Sequence, residues 1–157
     1  MGDNDPNVIK QLLVELRDVN KEKRRTAVMK LGMVGGDQAV RALMRAVQND
    51  NEDLIVRGRA ALMLGKLGDQ RAVEPLIRAL EAPGHQTPMY AAQALGNLGD
   101  ARAIEPLLMM AAASGRDRAR AAALEALRQL GHLHNSTRDD NGDTNGDEAI
   151  EPEREIG

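Results

Sequence analysis

Residues 64–76, LGKLGDQRAVEPL, recur as LGNLGDARAIEPL at 95–107 and, more loosely, as LGMVGGDQAVRAL at 31–43. A degraded fourth copy of the first half stands at Leu127-Arg128-Gln129-Leu130-Gly131. The closing glycines Gly35, Gly68, Gly99 and Gly131 are 33, 31 and 32 residues apart. A period that short and regular predicts a solenoid, in which each unit buries its apolar face only against its neighbours.

Apolar spacing inside each period is helical. First helices carry Ile9, Leu12, Leu13 and Leu16, then Val40, Leu43, Met44 and Val47, then Val73, Leu76, Ile77 and Leu80, then Ile104, Leu107 and Leu108. Second helices carry Ala27, Val28, Leu31 and Val34, and the equivalent sets around Leu64, Leu95 and Leu127. No strand pattern occurs. The expected fold is therefore all-α, a right-handed α-α superhelix (solenoid) of four helical hairpin repeats. Its domain should span 1–131, with units at about 7–36, 37–68, 69–99 and 100–131.

Punctuation supports that register. Pro75 and Pro106 lack an N–H and fit only a first turn, so their helices should begin near residues 73 and 104, with Asp69 and Asp100 capping the turns that precede them. Thr87-Pro88 reads as N-cap and N1 of the second helix of unit three. Gly32, Gly65 and Gly96 fall inside helices, each at a cost of about 1 kcal/mol relative to Ala. A cost repeated at one position implies close approach by the neighbouring helix. Arg128 takes that position in unit four, where it and Gln129 should face water as a C-terminal cap.

Composition bounds the function. The chain has 157 residues, 42% hydrophobic and 29% charged, with no Trp, no Phe, no Cys and a single aromatic residue, Tyr90. Absence of Cys removes disulfides, thiolate metal sites and thiol nucleophiles. No stretch approaches the roughly 20 apolar residues of a membrane span, and residues 1–6 lack a signal-peptide pattern, so a cytoplasmic location is expected, and the solenoid itself is expected to be a monomer. Residues 132–157 hold eight acids and two bases, net −6, against net +3 for residues 1–131. That polar stretch cannot bury enough apolar area to order itself and is expected to be a disordered acidic tail.

Catalytic chemistry finds little purchase. His85, His132 and His134 all fall in expected loops or tail, with no fixed partner. Asn141-x-Asp143-x-Asn145-Gly146-x-Glu148 opens like a calcium loop, but the twelfth position is Pro152 where a bidentate Glu is required. No metal and no cofactor is expected. Lys21, Lys23, Arg24 and Arg25 form one basic cluster and Arg116, Arg118 and Arg120 another. The modest +3 and the lack of stacking aromatics argue against nucleic acid.

The stretches from Val56 to Leu80 and from Ala91 to Leu108 resemble the HEAT-like repeat family, in particular the short repeats of phycobilisome lyase subunits. The resemblance covers about residues 7–131. It implies scaffold, adaptor or chromophore-lyase-subunit roles and, more rarely, metal-dependent hydroxylation through His-Glu pairs, which this sequence lacks. In the family a Val-Arg pair starts the second helix, and its Arg bonds neighbouring acids or loop carbonyls. Here the structural Arg positions are Arg57 in full, Arg24 and Arg120 in part, and Pro88 as a replacement.

The resemblance also implies that second helices line the concave face. Positions there that escape the core register give the partner-binding candidates Arg25, Met29, Met33, Arg59, Leu62, Met89, Tyr90 and Gln93. Apolar side chains exposed together mark interaction sites, and Met adapts to varied partners. An equal alternative is that some of them tuck into the seams between units. The leading expectation is a non-catalytic scaffold binding a protein partner on its concave face. The second is a bilin-lyase or chaperone-like subunit acting with another chain.

Overall fold

The computed structural model describes residues 5–113 and 115–132. Its elements are α1 (Pro6–Glu15), α2 (Lys21–Val34), α3 (Asp37–Gln48), α4 (Leu54–Leu67), α5 (Val73–Ala79), α6 (Gln86–Leu98), α7 (Ile104–Ala112) and α8 (Asp117–Gln129). Single 3-10 turns, Gln70–Ala72 and Ala101–Ala103, lead into α5 and α7. No strand occurs among the described residues. The acidic segment from 133 onward, with His134 and the calcium-loop-like stretch, lies outside them.

Successive pairs form four hairpins stacked in two layers. In the core, Leu31, Leu64, Leu95 and Leu127 of the second helices meet Leu43, Leu76 and Leu107 of the first, all fully buried. Burial of each such side chain contributes about 1.5–3 kcal/mol. Small residues fill the rest of the seams: Ala27, Ala60, Ala61, Ala91, Ala92 and Ala123 are also fully buried. With no aromatic ring among the fully buried side chains, neighbouring helices approach closely.

The layers differ in how tightly they pack. α2, α4, α6 and α8 lie side by side in close contact, whereas α1, α3, α5 and α7 touch one another far less. A tight inner layer and a splayed outer one curve the stack, which places the second helices on its concave side. Close packing depends on the intrahelical glycines. Each lies beneath a residue of the next second helix: Gly32 under Met63, Gly65 under Ala94, and Gly96 under Ala126.

Two features of unit three differ from the sequence reading. α6 begins one residue before Thr87, after His85, which is αR and makes no side-chain cap. Thr87 is therefore not an N-cap. It is buried inside the first turn and donates its hydroxyl to the Leu54 carbonyl at 3.4 Å, tying α6 to the start of α4. Pro88 consequently falls at the third helical position, where its missing N–H still costs nothing.

Candidate functional site

The inner surface is built by α2, α4, α6 and α8, whose local sequences leave a chemically uneven face. Neither α4 nor α6 contains an Asp or Glu, and α6 carries no charged residue at all. On α4, Arg59, Leu62 and Lys66 follow an i, i+3, i+7 spacing and so share one stripe. Arg59 and Leu62 are half-buried and Lys66 is exposed. Neither cation has a salt-bridge partner among the described residues.

The apolar candidates divide. Met33 is 77% exposed. Met29, Leu62, Met89 and Tyr90 are half-buried and pack against the core, so they are seam residues with one face to solvent rather than a fully exposed patch. Tyr90 leans over Gly58, where a methyl group would stand 3.4 Å from its ring. Gln93 is exposed on α6.

Arg25 is corrected more sharply. Its guanidinium donates to both Asp53 carboxylate oxygens, at 2.8 and 2.9 Å, and to Glu22 at 2.9 Å. The Arg25 bonds to Asp53 hold its carboxyl well down, at about 2, against burial, which pushes the other way; the Val56 N–H assists. Arg25 is thus committed to bridging unit one to the N-cap of α4 and is not a free contact for a partner.

Arg24 and Arg57 are structural, by different means. Arg24 clamps two loops, donating to the Asp18 and Val19 carbonyls at 2.8 and 3.1 Å and to Glu52 at 3.0 Å. Arg57, only 4% exposed, donates to the Val47 carbonyl at 3.2 Å at the end of α3. Arg120 does not repeat the pattern: it is exposed and makes no side-chain hydrogen bond to a described residue. No unit follows α8 among the described residues to supply the acid that Arg24 finds in Glu52.

Asp69 and Asp100 each accept from the backbone N–H two residues on and from the Arg71 or Arg102 side chain. The guanidinium bond lowers both carboxyls, Asp100 to about 2. Pro75 is buried and Pro106 half-buried, both at the third position of their helices. Arg128 is exposed and paired with Glu125 at 2.8 Å, while Gln129 lies over Gly96.

Two apolar surfaces escaped the sequence reading. α5 and α7 scarcely touch, which opens an outer groove of about 540 Å³ lined by Ile77, Leu80, Met109 and Met110, with Met109 71% exposed. A second hollow of about 460 Å³ lies between α1 and α2, against Val8, Leu12 and Met33. Met109 sat in an apolar helix whose spacing could not tell a core position from a groove wall. His85 and His132 are exposed, and no three His, Asp or Glu converge among the described residues.

The sequence profile of HEAT repeats matches residues 9–88 and again 50–128. None of the curated proteins matches the sequence significantly. Among solved structures, the complex of CpcE and CpcF of phycocyanin lyase from Nostoc sp. PCC7120 is similar, with 30% identity, TM-score 0.68, and coverage of 78% of this chain and 53% of that one. Human deoxyhypusine hydroxylase in complex with glycerol is similar in fold, with 23% identity, TM-score 0.68, and coverage of 83% and 44%. The chain thus spans about half the length of the structures it matches. No described helix is long and apolar enough to cross a membrane.

Proposed function

Since the chain belongs to the HEAT-repeat family, whose stacked units present extended concave surfaces, we propose that it is a non-catalytic scaffold binding a protein partner along its second helices. The observation that carries this reading is the inner stripe of half-exposed Met29, Leu62, Met89 and Tyr90, continued by exposed Met33 and bordered by Arg59 and Lys66. Apolar area rimmed by unpaired cations is the composition of an interface core and its polar edge. Affinity capture with the wild-type chain, Tyr90→Ala and Met33→Asp tests it. Tyr90→Ala should weaken a specific partner by about 1–3 kcal/mol, and Met33→Asp should also reduce capture. Retention of the partner by both variants would refute the inner-surface assignment.

The 30% identity with the CpcE and CpcF complex over 78% of this chain favours one alternative, a lyase-type or chaperone-like subunit that works with a second chain. Co-expression with candidate partner chains separates the two readings. A stable complex with a second helical-repeat chain supports the alternative, and capture of an unrelated partner supports the scaffold.

A further inference from the structure

Charge on this molecule is sorted by layer. The second helices together hold eleven Lys and Arg against three Asp and Glu, whereas the first helices hold four of each. Part of the inner excess is structural: Arg24 and Arg25 are consumed by Glu52 and Asp53, and Arg57 by the Val47 carbonyl. All three inner acids lie on α2 or α8. Glu22 is paired with Arg25, Glu125 with Arg128, and Asp117 stands at the start of α8. Over the two central helices, Arg59 and Lys66 therefore face solvent with no acid on their own or the adjoining inner helix α6 to neutralise them. Lys30 adds a third exposed cation on α2.

Resting on the scaffold reading above, we propose that the partner segment this surface takes is an acidic polypeptide with an apolar residue between its carboxylates. Arg59 and Lys66 are seven residues apart on one helix, about 10 Å along its axis, with Leu62 between them on the same stripe. That order of cation, apolar side chain and cation complements carboxylates of like spacing around an apolar anchor. Electrostatic complementarity of this kind sets partner choice and on-rate more than total affinity. A nucleic acid is the less suited polyanion, because only Tyr90 could stack on a base and it already leans over Gly58.

Fluorescence anisotropy of the full chain with a short labelled peptide of repeating Glu-Glu-Leu tests the proposal at low and moderate salt. Arg59→Glu with Lys66→Glu should weaken binding at least about tenfold, and the loss should shrink as salt rises. Lys10→Glu with Arg45→Glu makes the same change in net charge on the outer layer and should weaken it less than about twofold. Arg59→Gln with Lys66→Gln should give an intermediate loss, and circular dichroism confirms that each variant is folded. Equal losses from the inner and outer pairs would reduce the effect to net charge and overturn the proposal. So would tighter binding of an oligothymidylate through the same two residues, or peptide binding seen only after removal of residues 133–157, which would give the surface to the chain's own acidic segment. If the peptide fails to bind while Tyr90→Ala still releases a captured partner, the acidic chemistry falls and the scaffold reading stands.

Discussion

Gly65 of α4 and Ala94 of α6 approach so closely that a methyl group on Gly65 would stand 2.7 Å from the Ala94 Cα and 2.8 Å from its Cβ. This contact brings two inner helices together. Its counterparts recur on either side in the same register, each glycine meeting the residue two positions before the glycine-equivalent site of the next unit.

Replacing these glycines by alanine sets about 1 kcal/mol of gained helix propensity against about 1–3 kcal/mol of overpacking. At Gly65 the obstacle is backbone and cannot step aside, so Gly65→Ala should be destabilising and lower Tm by several degrees. At Gly96 the Ala126 Cα is 3.0 Å away and the other neighbour is the Gln129 side-chain amide, which can swing clear. Gly96→Ala should therefore stay within about 1 kcal/mol of wild type. Thermal melts check the order, and a more damaging Gly96→Ala would contradict the packing described.

Asp53 makes stability depend on pH. Its folded pKa of about 2 lies below the unfolded value of about 3.9, so its contribution is fully present above pH 4 and is lost as pH falls through 2. A shift of that size corresponds to at most about 2.6 kcal/mol, reduced by solvent screening at this partly exposed site. Asp53→Asn keeps a capping oxygen but surrenders the charge, and should lower stability at pH 7 while flattening its decline between pH 4 and 2. Urea denaturation at pH 7, 4 and 2.5 measures both effects; parallel pH profiles for variant and wild type would remove the Arg25 pair as a contributor.

Arg57 should matter through the Val47 carbonyl and not through its ion pair. Asp50, 3.7 Å away, has a side chain 93% exposed, and such surface pairs contribute about 0–1 kcal/mol. Arg57→Met preserves most of the aliphatic stem but removes the donor, leaving a buried carbonyl unsatisfied at about 1–3 kcal/mol. Asp50→Asn should change stability by less than about 0.5 kcal/mol. Chemical denaturation of the two variants compares them directly, and similar losses would make the ion pair the stabilising contact.

Removal of residues 133–157 should leave helicity and Tm nearly unchanged, because α8 already closes on Leu127 and the His132 N–H returns to the Leu127 carbonyl at 2.9 Å. The acidic segment's −6 should instead temper polyanion binding by the body, so the truncated chain is expected to bind heparin more tightly at low salt, with the gain fading as salt rises. A marked fall in Tm on truncation would make the segment a packed element.

Some of this molecule was written in local pattern. The glycine period, the leucine spacing and the first-turn prolines determine the hairpins and the layer each helix joins, because they depend on residues a few positions apart on one helix. Gly32, Gly65 and Gly96 were legible for the same reason: a repeated helix breaker requires a repeated neighbour. The tertiary structure alone decided which neighbour each side chain meets. Arg25 looked like a free cation until the stack placed Asp53, 28 residues on, beside it. Thr87 looked like a cap until Leu54 was seen to offer its carbonyl. Met109 carried no local sign of its exposure, which follows from α5 and α7 standing apart. Periodicity specifies which face of a helix turns inward, but the offset and curvature between successive units decide what stands opposite, and those follow from the summed packing of all four hairpins rather than from any one segment.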